Sequence, residues 1–223
     1  MPLIWHTPVT IASDSPVFAL VCTSFSPYGT RSLKPSTSVA AMMLYEEGGF
    51  ELKQPVADLI PEFAASRVYR SGNAFKPVTE PVTEPVRMWH LLTHTAGLTY
   101  GFHHQHVTDA IYRARGFEWG APKGLDLAEC CAAWASMPLV FQPGAEWCYS
   151  VATDVLGRVV ELVSGQSLDA FFAERVLGPL GMGDTRFFVP QAEVGRAARL
   201  YSPEPGTGRA VVSPLESLPT DMP

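Results

Sequence analysis

The sequence predicts an α/β (α+β) domain of which mainly the helical part is legible. Apolar residues recur at helical spacing in several segments separated by turn chemistry. One of those helices, over about 36–48, is nearly uncharged before Glu46, so it should run through a core, and a sheet would supply the cover it needs. Twenty prolines and eighteen glycines punctuate the chain and keep its elements short.

The elements follow in order. Residues 1–31 are poorly patterned. Lys34-Pro35 suits a first helical turn, and Gly48-Gly49 ends that helix. Lys76 to Val86 carries three Pro-Val units and reads as an extended surface connection. Arg87 to His94 is a compact helix with Thr95-Ala-Gly97 as its cap. A loop with His103, His104 and His106 follows, and Asp126 caps a helix running to about Met137. Phe141-Gln-Pro-Gly leads through Tyr149 to a helix that Ser150 caps and Gly165 stops. In that helix Asp154 sits at the favourable dipole end, and Val155, Val159, Leu162 and Val163 form the apolar stripe. Ser167 caps a last helix carrying Phe171, Phe172 and Val176. The expected organisation is an N-terminal segment 1–31, a domain 32–201 and a turn-rich tail 202–223.

A chain of 223 residues that is 47% hydrophobic and 17% charged can bury a sizeable core and is not generally disordered. Its net charge of −6 argues against nucleic acid or an anionic membrane as the main partner. Cys22, Cys130, Cys131 and Cys148 have neither Cys-x-x-Cys nor metal spacing, which points to a reducing compartment. With no signal peptide and no span-length apolar run in view, the expected location is cytoplasmic.

The histidines are weak metal candidates. His103, His104 and His106 have no carboxylate or cysteine at ligand spacing. His90 and His94 lie at i and i+4, yet residue 91 is Leu where a zincin needs Glu, so capping or core roles fit better. No metal and no cofactor are expected.

Lys34 to Gly48 resembles the active-site helix of the serine β-lactamase-like hydrolases, which include class C β-lactamases, family VIII esterases and D-alanyl-D-alanine peptidases. His90-Leu-Leu-Thr-His-Thr-Ala-Gly-Leu98 is similar to that family's "LLTHTSGL" segment. Phe141-Gln-Pro-Gly, Tyr149-Ser, Leu156-Gly, Ser164-Gly and Pro179-Leu-Gly-Met continue its landmarks in order. The resemblance covers about residues 32–201 and implies a β-lactamase/transpeptidase-like fold with its sheet incomplete. It also implies acyl-enzyme hydrolysis of a carboxylic ester or amide, a small molecule, with Lys34 and Tyr149 assisting proton transfer. Ser32 stands for the nucleophile. A tyrosine needs a neighbouring positive charge to act as a base near neutral pH, and Lys34 with the helix N-terminus would provide it.

The family pattern is departed from in three places. Three residues before Lys34 stands Arg31, and Ser32 is only two residues away, which an unbroken helix places on another face. Val151 stands where the family carries Asn. No Lys-Thr-Gly or His-x-Gly element follows. The alternative reading is therefore a catalytically inactive fragment or binding remnant of the family. Exposed sheet-facing surface would favour self-association.

Overall fold

The computed structural model describes residues 33–118, 120–122, 124–196, 201–204 and 206–212. In chain order they form α1 (Leu33–Glu46), β1 (Arg67–Asn73), β2 (Lys76–Pro81), α2 (Met88–Leu92), α3 (Val107–Ala114), α4 (Leu127–Ala135), α5 (Ala152–Ser164), α6 (Leu168–Phe171), β3 (Tyr201–Pro203) and β4 (Ala210–Val212). Short 3-10 turns join them, and α6 runs on into a π turn, Phe172–Leu177.

Helix α5 is the hub. It packs against α1, α2, α4 and α6, and Val155, Leu156, Val159 and Val160 on it are fully buried. Burying each such side chain contributes about 1.5–3 kcal/mol. Gly157 lets α6 approach, because a Cβ there would lie 2.9 Å from Leu168 Cδ2. Around this hub lie Trp134 and Cys131 from α4, Leu91 from α2, Ala40 and Ala41 from α1, and Phe171 and Phe172. The helix ends as its sequence dictates. Asp154 occupies its first turn, and Gly165 takes the left-handed conformation at φ 70° with its N–H on Glu161 O.

The expected apolar stripe is rotated. Leu162 is 40% exposed, whereas Leu156 and Val160 complete the inward face with Val155 and Val159. Ser150, expected as the N-cap, instead precedes it, because the helix starts one residue later. Val151 is the residue flanking the helix and has no side-chain cap, while Ser150 Oγ accepts from the Ala152 N–H at 3.3 Å. Asp126 caps α4 as expected, in a reciprocal box with Glu129.

Five elements, two strand pairs and one helix, were not legible. β1 and β2 form an antiparallel hairpin in which Tyr69 pairs with Thr79 and Asn73 with Lys76, with a bulge at Arg70. Its turn is held by Asn73 Oδ1, which accepts from the Phe75 and Lys76 amides at 3.0 Å each. The stretch expected to be an unpaired connection is thus in part an edge strand, where Pro77 and Pro81 are tolerated. Helix α3 is capped by His106, whose Nδ1 accepts from the Thr108 N–H at 3.1 Å. β3 and β4 pair antiparallel, Tyr201 opposite Val212.

The segment after α4 crosses the hairpin's flank. Leu139 bridges Val68 in parallel, and the Leu139 N–H donates to Arg67 O at 2.8 Å. Gly97, at φ 80°, passes this segment so closely that a Cβ would lie 2.5 Å from Phe141 O. None of the helices among the described residues is long and apolar enough to cross a membrane.

Candidate active site

Lys34 stands in the first turn of α1, part-buried, where α1 meets the start of α5. Its ammonium donates to Tyr100 Oη at 3.0 Å and to Ser150 O at 3.3 Å. It also lies over two rings, 4.7 Å from the Tyr149 centroid and 5.3 Å from that of Tyr100. Tyr100 Oη in turn donates to Asp154 Oδ2 at 3.1 Å. The phenol thereby bridges a cation on α1 and an anion on α5.

Each charge state in this chain has a physical cause. Burial lowers the Lys34 pKa, and the Asp154 carboxylate offsets part of that. Burial raises Asp154, and Lys34 with the Tyr100 hydroxyl opposes the rise. Burial first, then Asp154, pushes Tyr100 well above the usual phenol value. Tyr100 therefore remains a neutral hydroxyl that accepts from lysine and donates to carboxylate.

Tyr149 lies at the end of the turn that leads into α5. Its carbonyl accepts from His103 Nε2 at 2.6 Å, and its ring contacts those of His94, Tyr100 and His103 with centroids 5.2, 5.6 and 6.4 Å away. His94 follows α2 in the left-handed conformation, φ 56°, so the helix ends at Thr93 rather than at the Thr95–Gly97 cap. His94 Nδ1 is 3.3 Å from the Ser150 amide nitrogen and 3.2 Å from Ser150 Oγ, and its Nε2 is 3.4 Å from Thr153 Oγ1.

The fold thus brings Lys34 and Tyr149 together across more than a hundred residues. Ser32 lies outside the described residues, as does Cys22. Three groups around the lysine were not read as site residues from the sequence. Tyr100 carries no local signal beyond being a polar aromatic just after the Gly97-Leu98 landmark. Asp154 was noted only for the helix dipole, and His94 only as a cap or core residue. His90 does cap: its Nδ1 accepts from the Arg87 N–H at 3.0 Å. No cluster of three or more His, Cys, Asp or Glu able to hold a metal occurs among the described residues.

An ammonium and two phenols packed at a helix N-terminus form a site suited to stabilising negative charge and moving a proton. The family model described as Beta-lactamase matches residues 32–220. The chain belongs to the Beta-lactamase family. Its fold is the β-lactamase/transpeptidase-like one, with helix and sheet mixed and only small sheets among the described residues.

Protein Rv1367c of Mycobacterium tuberculosis (strain ATCC 25618 / H37Rv) is 38% identical over 168 residues, which are 75% of this chain and 40% of that protein. Esterase EstB of Burkholderia gladioli is 38% identical over 177 residues, 77% of this chain and 41% of the esterase. Among solved structures, unliganded selenomethionyl simvastatin synthase (LovD) from Aspergillus terreus superposes with a TM-score of 0.69 at 26% identity. That match covers 89% of this chain and 47% of the synthase. The chain therefore spans less than half the length of the relatives it matches. Family relatives include esterases, and the reaction type at family level is that of serine hydrolases and acyltransferases.

Proposed function

We propose that this chain carries part of the active site of a serine hydrolase acting on a carboxylic ester or amide through an acyl-enzyme. The observation that carries the reading is the Lys34 ammonium held 4.7 Å above the Tyr149 ring while anchored to Tyr100 Oη. In the proposed reaction Ser32 Oγ adds to the substrate carbonyl carbon, and Tyr149, helped by the charge of Lys34, takes the hydroxyl proton. Collapse of the tetrahedral adduct breaks the bond to the leaving alcohol or amine, which receives that proton. Water then attacks the acyl-serine by the same steps and releases the acid. An ester is preferred to an amide because alkoxide leaves more readily than amide ion, and a relative is named as an esterase.

The second reading is a remnant without a working nucleophile. Arg31 at the position three before Lys34 favours it, because residues three apart share a helix face whereas residues two apart do not. Fluorophosphonate labelling with peptide mapping, run beside p-nitrophenyl ester hydrolysis, separates the two. Labelling at Ser32 together with loss of hydrolysis in Ser32→Ala and Tyr149→Phe supports the enzyme. A folded protein that takes no label and turns over no ester supports the remnant.

A further inference from the structure

The segment that carries Tyr149 is tied to one residue on the other side of the site. His94 O accepts from the Cys148 N–H at 2.9 Å, its Nδ1 meets the Ser150 amide at 3.3 Å, and its Nε2 meets Thr153 Oγ1 at 3.4 Å. Three contacts at 148, 150 and 153 bracket Tyr149, whose ring lies 5.2 Å from the imidazole. His103 and Lys34 hold the carbonyls of Tyr149 and Ser150 from other directions, but neither touches the amide side of the turn.

The ring's protonation follows from its partners. The Ser150 amide can only donate, and the Ser150 hydroxyl, 3.2 Å from Nδ1, can donate as well, so the arrangement that satisfies both contacts has the Nδ1 lone pair facing Ser150. The proton is then on Nε2, where Thr153 Oγ1 accepts it. An imidazolium would set two N–H groups facing each other at Ser150, so the contact survives only with a neutral ring. The backbone of His94 is left-handed because it ends α2 in a Schellman turn, with its N–H on Leu91 O at 3.4 Å and the Thr95 N–H on His90 O at 2.9 Å, and this turn aims the ring at Ser150.

We propose that His94 is the positioning residue of the site, its neutral Nε2–H imidazole fixing the turn that presents Tyr149 to the lysine. The proposal rests on Tyr149 being the proton-transfer group of the hydrolase reading. Burial, followed by the charge of Lys34, lowers the imidazole pKa to about 4, which keeps the clamp neutral from weakly acidic pH upward. Lys34 is the charged group from α1 that acts on the ring. Tyr149 and Ser150 face it from the turn and Thr153 from α5, with Trp147 6.3 Å away, centroid to centroid. Asp154, the nearby carboxylate of α5, is engaged with Tyr100.

Two arms test this. In the first, 15N NMR of the wild-type imidazole at pH 7 should give the neutral Nε2–H tautomer, and tyrosine 13Cζ NMR, assigned with Tyr149→Phe, should give one Tyr149 resonance. His94→Asn tolerates the left-handed backbone and keeps an acceptor near the Ser150 amide, so Ser150 hydrogen exchange should stay within about 3-fold of wild type. His94→Gly tolerates the backbone but has no acceptor; Ser150 exchange should rise by about 100-fold and the Tyr149 resonance should shift. In the second arm, on p-nitrophenyl ester, kcat should fall by about 100-fold in His94→Gly with KM little changed, and be largely retained in His94→Asn. A wild-type Nδ1–H tautomer, or an unmoved Tyr149 signal with Ser150 still protected in His94→Gly, overturns the clamp. If wild type hydrolyses nothing, the hydrolase reading fails, while the first arm still decides the clamp. The tautomer needs no variant, so a His94→Gly chain that does not fold leaves the outcome decided by wild type and His94→Asn.

Discussion

Asp154→Asn offers a direct measure of the charge chain beneath the site. The Asn can keep an acceptor for Tyr100 Oη, so mainly the negative charge is removed. With Lys34 Nζ at 3.0 Å from Tyr100 Oη and that oxygen at 3.1 Å from Asp154 Oδ2, cation and anion are separated by at most about 6 Å. At an effective dielectric constant of about 20 their attraction is on the order of 3 kcal/mol. Without the carboxylate, Lys34 keeps its burial penalty and loses the influence that offset it, so its pKa should fall further. Asp154→Asn loses this attraction of about 3 kcal/mol but also sheds the carboxylate's own burial penalty, so its net cost in urea unfolding at pH 7 should be smaller, and the attraction itself is read from a double-variant cycle. Lys34→Met removes the cation instead. In the double variant the charge loss should no longer be felt, so the combined cost should fall short of the sum of the single costs by about 2–3 kcal/mol. Additivity within about 0.5 kcal/mol would refute an interaction between the two charges through Tyr100.

Other perturbations have equally definite outcomes. The folded pKa of His94, about 4, lies below its ordinary 6.5, so between those values the unfolded chain binds a proton that the folded chain does not. Stability should be whole above about pH 6.5 and fall as pH drops toward 4. The pKa difference sets a ceiling of about 3 kcal/mol, and screening at the part-exposed ring should reduce the loss to about 2 kcal/mol; urea midpoints should show less of this fall in His94→Asn. Gly97→Ala combines a left-handed backbone with a Cβ 2.5 Å from Phe141 O and 3.0 Å from Leu139 Cβ; calorimetry should show a loss of about 2–4 kcal/mol. Leu156→Ala opens a cavity at a fully buried site on α5 and should cost about 2–5 kcal/mol by denaturant unfolding. Val39, Trp147 and Leu180, at 49%, 66% and 68% exposure, should make the isolated chain self-associate. Light scattering from 1 to 100 µM should show mass rising with concentration, and a constant monomer mass would contradict it.

The helices were legible where local chemistry states both ends. Asp126 with Glu129 opens α4, and Gly165 closes α5, because caps are written within a few residues of the bonds they satisfy. The hairpin was hidden because its inward pattern is weak: in β1 only Val68 is fully buried, and β2 has alternating residues no more than half-buried. Prolines in β2 also argued against a strand until its edge position was known. At the candidate site, Lys34 and Tyr149 were singled out from ordered landmarks, and the fold places the ammonium 4.7 Å from the Tyr149 ring centroid. Tyr100 and His94 were not, since their roles come from contacts 54 to 66 residues away in sequence and a single chain shows no local trace of such pairings. Leu162 was misassigned because one more residue of helix turns a side chain about 100°, enough to move it from core to solvent.

The π turn after α6 has a consequence for how this region tolerates change in length. From Phe172 to Leu177 the chain takes a wider loop, and the Gly178 N–H reaches back five residues to Ala173 O at 3.0 Å. A π turn holds one residue more than the α winding it interrupts, so the surplus residue is absorbed in a local swelling. Ala173 is exposed there, while Phe171, Phe172, Val176 and Leu177 are buried on either side. Deleting Ala173 would let the swelling relax to ordinary α winding with the flanking aromatic and aliphatic faces kept in phase. A one-residue deletion here should therefore leave α6 against α5 and the following turn against α1, a freedom no uniform helix has.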